Sequence, residues 1–276
     1  MRQLYWTPSG ATTEINLEDW TGSGAGRYAQ IFCTEIVNPA YPDDEPQQDE
    51  IPSLDMAVDR GVAFKPRVIT AKFILIASSP SNLALAIRAW DALMNPRLGV
   101  GQLRHVAEDG TSRILEARPK SPKWTVRGVW ARVEQSWYAA NPWWRSQTDA
   151  IYVTAFNGTT PVVVNVQNDG ILPAPPTFRI VGIVSQPKMV NTSGEVIELL
   201  ASTSYSDDLL VVNCSLGQPK VMYYRHGTGG GTRWFGYRTA ATKFWEVPVG
   251  ASAITLQAES GTASCTISFP RYYGDI

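Results

Sequence analysis

The second half of this chain is broken into short pieces by turn signals. Asn168-Asp169-Gly170, Ser193-Gly194, Asp207-Asp208, Leu216-Gly217, Val249-Gly250 and Ser260-Gly261 recur at close spacing. Between them lie β-branched and aromatic runs: Val162–Val166, Phe178–Ile183, Val196–Leu200, Leu209–Cys214, Val221–Tyr224, Phe244–Val247, Ile254–Ala258 and Cys265–Phe269. Segments this short cannot hold helices of ordinary length. Many short strands between frequent turns predict a β-sandwich. Pro173, Pro175 and Pro176 fit a rigid extended entry into it.

The first half shows the same alternation with one interruption. From Val68 to Ala77, the residues Ile69, Ala71, Phe73 and Leu75 fall on one face. Leu103–Val106 and Arg113–Ala117 flank Asp109-Gly110, a hairpin turn. The run Trp124–Tyr138 places Val129, Ala131, Val133 and Trp137 on one face and Arg132, Glu134 and Ser136 on the other. Gly128 sits where a bulge would shift the register. The interruption follows Ser79, where Leu83, Ile87, Trp90 and Met94 recur at helical spacing. Ser79 is the expected N-cap, Pro80 the first helical residue, and Asn95-Pro96 the stop. The segment Asn38–Pro52 holds four prolines and five carboxylates and predicts an exposed, irregular excursion. Composition changes after Trp144. The expected domains are residues 1–150, with a helix at 80–94, and residues 151–276.

At 276 residues the chain buries enough surface to need no disulfide or metal. Its net charge of −1 provides no field for nucleic acid or anionic lipid. Cys33, Cys214 and Cys265 show no zinc spacing and read as reduced thiols. The sequence shows neither a leader peptide of the usual form nor a long apolar run. The expectation is a soluble protein made in a cytoplasm. Gly22-x-Gly-x-Gly26 leads into a strand-like run, not the helix that a dinucleotide loop requires. His226–Arg233 lacks the lysine-hydroxyl ending of a phosphate loop and reads as a hairpin tip. The carboxylates of 38–52 lie in a solvated loop, the wrong place for a general acid. Asp207-Asp208 sits at a turn for backbone reasons. His105 and His226 are isolated. No catalytic, cofactor or metal site is expected.

Adjacent aromatics remain to be explained: Trp143-Trp144, Tyr223-Tyr224 and Trp234-Phe235. Neighbours in a strand point to opposite faces, so both members of a pair cannot enter one core. Outward aromatics are enriched at interface cores. Asn141-Pro142 turns the chain. One indole of Trp143-Trp144 then plugs the first core or its seam, and the other meets another domain or subunit. Trp234 and Phe235 are further candidates for such contacts. The late aromatics also admit sugar stacking as an alternative.

These residues, in order, resemble the distal tail protein family of long-tailed, non-contractile bacteriophages. The resemblance rests on RVITAKFILIA (67–77), the helix, LMNPRLGVGQL (93–103) and WYAANPWWR (137–145). It continues through NDGILP (168–173), TFRIVG (177–182), GEVIEL (194–199), DLLVVNC (208–214) and PVGASAITL (248–256). The acidic segment 38–52 departs from the family, which often has a glycine-containing stretch there. The resemblance implies a mainly β chain, an N-terminal β-sandwich with one helix followed by a galectin-like C-terminal β-sandwich. It implies a non-enzymatic virion protein at the distal end of the tail, assembled in the host cytoplasm. It further implies a homohexameric ring joining tail tube protein to tail hub or tip protein, with the tape measure protein as neighbour and DNA only in transit. A host surface glycan is the partner under the alternative, a carbohydrate-binding host-recognition module.

Overall fold

The computed structural model describes residues 3–17, 29–37, 44–51, 56–107, 109–215, 219–226 and 231–274, with the backbone alone for 44–64 and for Phe235. The chain forms two compact units: Met1–Gln147 together with Tyr273–Ile276, and Thr148–Tyr272. The fold is mainly β, with antiparallel pairing and one α-helix among the described residues.

In the first unit the strands run in the order Ile15–Asn16, Gln3–Thr7, Gly101–Val106, Ser112–Pro119, Trp130–Ala139, Arg67–Ala77 and Ala29–Val37. Ser112–Pro119 joins two layers. Most of it pairs with Gly101–Val106, whereas Arg118 and Pro119 pair with Tyr138 and Trp137. The layers face each other across one core containing Leu4, Trp6, Leu103 and Leu115 from one side and Phe73, Val133 and Trp137 from the other. Trp6 and Trp137 meet with ring centroids 6.2 Å apart. Gly101 is required for that contact, because a Cβ there would lie 2.7 Å from the Trp6 ring.

The helix is Pro80–Leu93. Ser79 caps it by accepting a hydrogen bond from the Asn82 amide at 3.2 Å. Leu83, Ala86 and Trp90 are buried, and Ile87 packs against the core edge. Trp90 is the key residue: its ring lies 5.1 Å from Phe73, and its Nε1 donates to Gln135 Oε1 at 3.3 Å. Gln135 occupies a core-facing position between Val133 and Trp137 and is fully buried. Its Nε2 donates to the carbonyls of Lys120 and Ser136, so its burial leaves no amide group unpaired. Asn95 ends the helix and caps a short 3-10 turn, Pro96–Leu98.

Two expectations for this unit need correction. Trp124–Tyr138 is not one strand but a hairpin, Lys123–Arg127 paired with Trp130–Ala139. Gly128, at φ +61, belongs to its two-residue turn rather than to a bulge, and Val129 in that turn is exposed rather than in the core. Glycine at such a position relieves the strain a side chain would suffer. The bulge falls elsewhere, between Cys33 and Glu35. The acidic segment is also more regular than its composition indicates. Asp44–Ile51 pairs with Met56–Phe64 as a two-stranded hairpin, while 38–43 and 52–55 lie outside the described residues.

The second unit is a sandwich. One sheet runs Ala150–Asn157, Ser260–Phe269, Thr177–Ser185, Leu209–Asn213, Lys220–Tyr224 and Thr232–Arg233. The other runs Val162–Asn168, Gly250–Gln257, Lys188–Val190 and Val196–Glu198. Phe178, Ile180, Leu210, Val212 and Ile267 from the first meet Val166, Met189, Ile197, Ile254 and Leu256 from the second in one core. Phe244–Val247 is not a strand: only Val247 bridges to Ala174, although Trp245 enters the core edge-on to Phe178 at 5.6 Å. The strand Ala150–Asn157 falls at the expected domain break, outside the strands expected from the sequence. Removing the helix cap by Ser79→Ala should cost about 1 kcal/mol, read as a lower urea midpoint with an unchanged slope.

Candidate assembly surfaces

The turn that carries the tryptophan doublet is built by Asn141, whose Oδ1 accepts the Trp143 amide at 3.2 Å. Trp144 then begins a short strand, Trp144–Ser146, paired with Ser112–Pro119. Its indole is fully buried in the first core, 6.5 Å from the His105 ring. Trp143, just before the strand, is half-buried. The two indoles are therefore buried to different extents.

The same argument fails at Trp234-Phe235, because Trp234 leads into a 3-10 turn, Phe235–Tyr237, rather than a strand. Trp234 stacks on Tyr223 at 4.0 Å and packs against Tyr237 at 5.4 Å. The Phe235 side chain lies outside the described residues. Tyr223 donates its hydroxyl to Asp208 Oδ2 at 2.8 Å. Asp208 is fully buried and also accepts the amides of Ser204 and Tyr205 on Oδ2 and of His226 on Oδ1. Burial alone would raise its pKa. The donors from His226, Ser204, Tyr223 and Tyr205 outweigh that and hold it down to about 2. Tyr223 is driven the opposite way, to about 12, by burial and by the carboxylate it bonds. Around this anchor, Tyr205 stacks on His226 and lies beneath Arg225, and His226 Nδ1 pairs with the Asp207 carboxylate. These aromatic faces are engaged with one another, so the cluster acts as a clamp on loop 204–208. Of the glycine run, 227–230 lie outside the described residues, as do Gly22 to Gly26.

A different surface emerges in the first unit. The helix covers one face of the layer formed by Ala29–Val37, Arg67–Ala77, Trp130–Ala139 and Lys123–Arg127. The registers line up cross-strand rows on the opposite face. One row is Phe32, Ile74, Arg132 and Thr125; the next is Glu35, Lys72, Glu134 and Lys123. Lys72 pairs with Glu35 at 2.7 Å and Lys123 with Glu134 at 3.0 Å. They flank a groove of about 560 Å³. Pairs this exposed add little stability, but they order the surface. Phe32 and Ile76 stand half-exposed beside them. Ala29–Val37 and Lys123–Arg127 are the outer strands of this layer. Sequence alternation identified the core side of Arg67–Ala77 and Trp130–Ala139 but gave no sign that their other side was uncovered.

Comparison with solved structures resolves the fold over the whole length. Dit of phage SPP1, described as a paradigm of the hub adsorption apparatus in phages infecting Gram-positive hosts, matches with a TM-score of 0.70 and 14% identity, covering 99% of each chain. The chain has the fold of a phage distal tail hub protein. Two structures of the phage P2 baseplate in its activated conformation, one with Ca and one with Sr, match at a TM-score of 0.58 and 8% identity over the full length of both chains. No family model matches the sequence, and no curated protein matches it by sequence comparison.

Within this Dit fold, the described residues contain no group of three His, Cys, Asp or Glu side chains placed to hold a metal. Two measurements test the site. Trp144→Ala should lower stability by about 3–5 kcal/mol in denaturant titration, whereas Trp143→Ala should change it by less than about 1 kcal/mol. The Asp208 contribution is present above the ordinary carboxylate range, because the folded pKa lies below the unfolded one. It should fade as pH falls from about 4 to about 2, amounting to about 1–2 kcal/mol. Thermal melts of Asp208→Asn should be lower at neutral pH and flatter over that acid range than those of the parent chain.

Proposed function

We propose that this chain is a structural hub at the distal end of a long non-contractile phage tail, working by assembly and without chemistry. The observation that carries the reading is the fold correspondence with SPP1 Dit across 99% of both chains, both units included. The first unit forms a homohexameric ring that joins tail tube protein above to tail hub or tip protein below, near the tape measure protein. The second is a galectin-like sandwich. The virion tail tip is its location, and DNA passes only in transit.

A ring beyond a dimer needs two different complementary patches on each copy. The outer strands Ala29–Val37 and Lys123–Arg127 offer unlike edges, one beside exposed Phe32 and one bearing Lys123 and Arg127. The hairpin Asp44–Ile51/Met56–Phe64 is joined by no third strand among the described residues. A two-stranded hairpin is marginal alone, and a neighbouring copy would supply the missing support. Trp143 is a further candidate contact. The engagement of Trp234, stacked on Tyr223 and tilted against Tyr237, does not favour the glycan-binding alternative.

Light scattering with negative-stain imaging should show closed rings with sixfold symmetry. Phe32→Glu should dissolve them into smaller species without lowering the melting temperature by more than a few degrees. A chain that stays monomeric at tens of micromolar, and leaves tail tips unlabelled by a specific antibody, contradicts the reading.

A further inference from the structure

The second unit leaves one side of its sandwich unprotected. Ala150–Asn157 is the edge strand of the six-stranded sheet, and Val162–Asn168 is the edge of the four-stranded sheet. A short turn connects them, so both edges lie on the same side. From Ala150 to Asn168 the sequence contains no Asp, Glu, Lys or Arg. Ile151, Val153 and Val163 are exposed at 64%, 67% and 59%, the highest values among the exposed large apolar side chains of the described residues. The opposite edges are handled in the usual way. Thr232–Arg233 and Val196–Glu198 are very short, and each carries a charge. Short, charged edges resist pairing, and long apolar ones invite it.

The two long edges are not equivalent. Tyr152 Oη accepts the Gln167 amide at 2.8 Å and donates to the Gln167 carbonyl at 3.1 Å. That hydroxyl caps backbone groups on the rim of Val162–Asn168. On its inner side, Ala150–Asn157 is held by Ser260–Phe269, with Val153 opposite Thr266. The outer rim of Ala150–Asn157 is therefore the open one.

We infer that Ala150–Asn157 is a homotypic docking edge, occupied by the same strand of a second copy in antiparallel pairing about Val153. Charge supports this occupant. The strand meets its own copy with no like-charge contact, and it offers no charge with which to select a different partner. The side-chain pattern also supports it. A two-fold centred on Val153 sets Val153 against Val153 and Ile151 against Ala155, all outward-facing, and small or β-branched cross-strand pairs of this kind stabilise sheets. The contact is isologous, so it joins two assemblies and is separate from the heterologous contacts of a ring.

The test uses the full-length chain. Light scattering should give the parent a mass twice that of Ile151→Lys/Val153→Lys at equal concentration, whatever the underlying assembly is. The ring reading is judged on the variant's own symmetry, so the two claims fail separately. Val153→Cys should form an intermolecular disulfide under mild oxidation, whereas Thr232→Cys on the opposite edge should not. Circular dichroism melts within a few degrees of the parent would show that the lysine variant folds. Equal masses for parent and folded lysine variant, or cross-linking of Val153→Cys no greater than that of Thr232→Cys, would overturn the inference. Either result would leave the edge for a strand of a different protein.

Discussion

The first unit is organised by the way Trp90 seats the helix. Its indole fills the space over Phe73, and its N–H is fixed by Gln135, which is itself held by two backbone carbonyls. A buried amide pinned on three sides tolerates little change of register. The helix therefore has one seat and covers one face of the sheet. The opposite face, with its alternating ion-pair row, is left to solvent. Open face and core are two sides of the same strands, assigned by period-two alternation.

Much of this was legible in the sequence, for identifiable reasons. The helix was, because Ser79, Pro80 and Asn95-Pro96 mark both ends and Leu83, Trp90 and Met94 keep its period. The strand Arg67–Ala77 was, because its inward positions from Ile69 to Ala77 are all apolar and all buried. The hairpin at Gly128 was not. Trp124 and Val126 are out of phase with Ala131 and Val133, and such a phase shift reads equally as a bulge within one strand; the φ of Gly128 and the pairing across it show that the chain reverses. The acidic hairpin was missed because proline and carboxylate content outweighed the pairing of Asp44–Ile51, which depends on a partner strand distant from any local signal.

Aromatic doublets proved a partial guide. At Trp143-Trp144 the backbone is extended at the second residue, and the pair divides into a buried and a half-buried indole. At Trp234 the backbone turns, and stacking on Tyr223 replaces alternation. The buried Asp208 was expected at a turn, but its four donors come from two separate segments, Ser204-Tyr205 and Tyr223–His226, and could not be read from spacing alone. The exposed rim of Ala150–Asn157 carried a sequence signal, a long interval free of charge, which is informative only once the strand is known to lie at an edge.

The chain leaves the first unit at Gln147 and returns to it at Tyr273. There Arg113 lies over the Tyr273 ring, and the buried Arg67 guanidinium donates to the Gly274 carbonyl at 2.8 Å. The second unit is thus an insertion whose ends lie side by side, with Ala150 opposite Phe269. Because synthesis proceeds from the N-terminus, the ribosome must finish the inserted sandwich before the first unit receives its last residues. Until then Arg67 lacks that carbonyl, so the first unit reaches its final form only after the inserted sandwich has been made. Chains cut short within the insertion never acquire this closure.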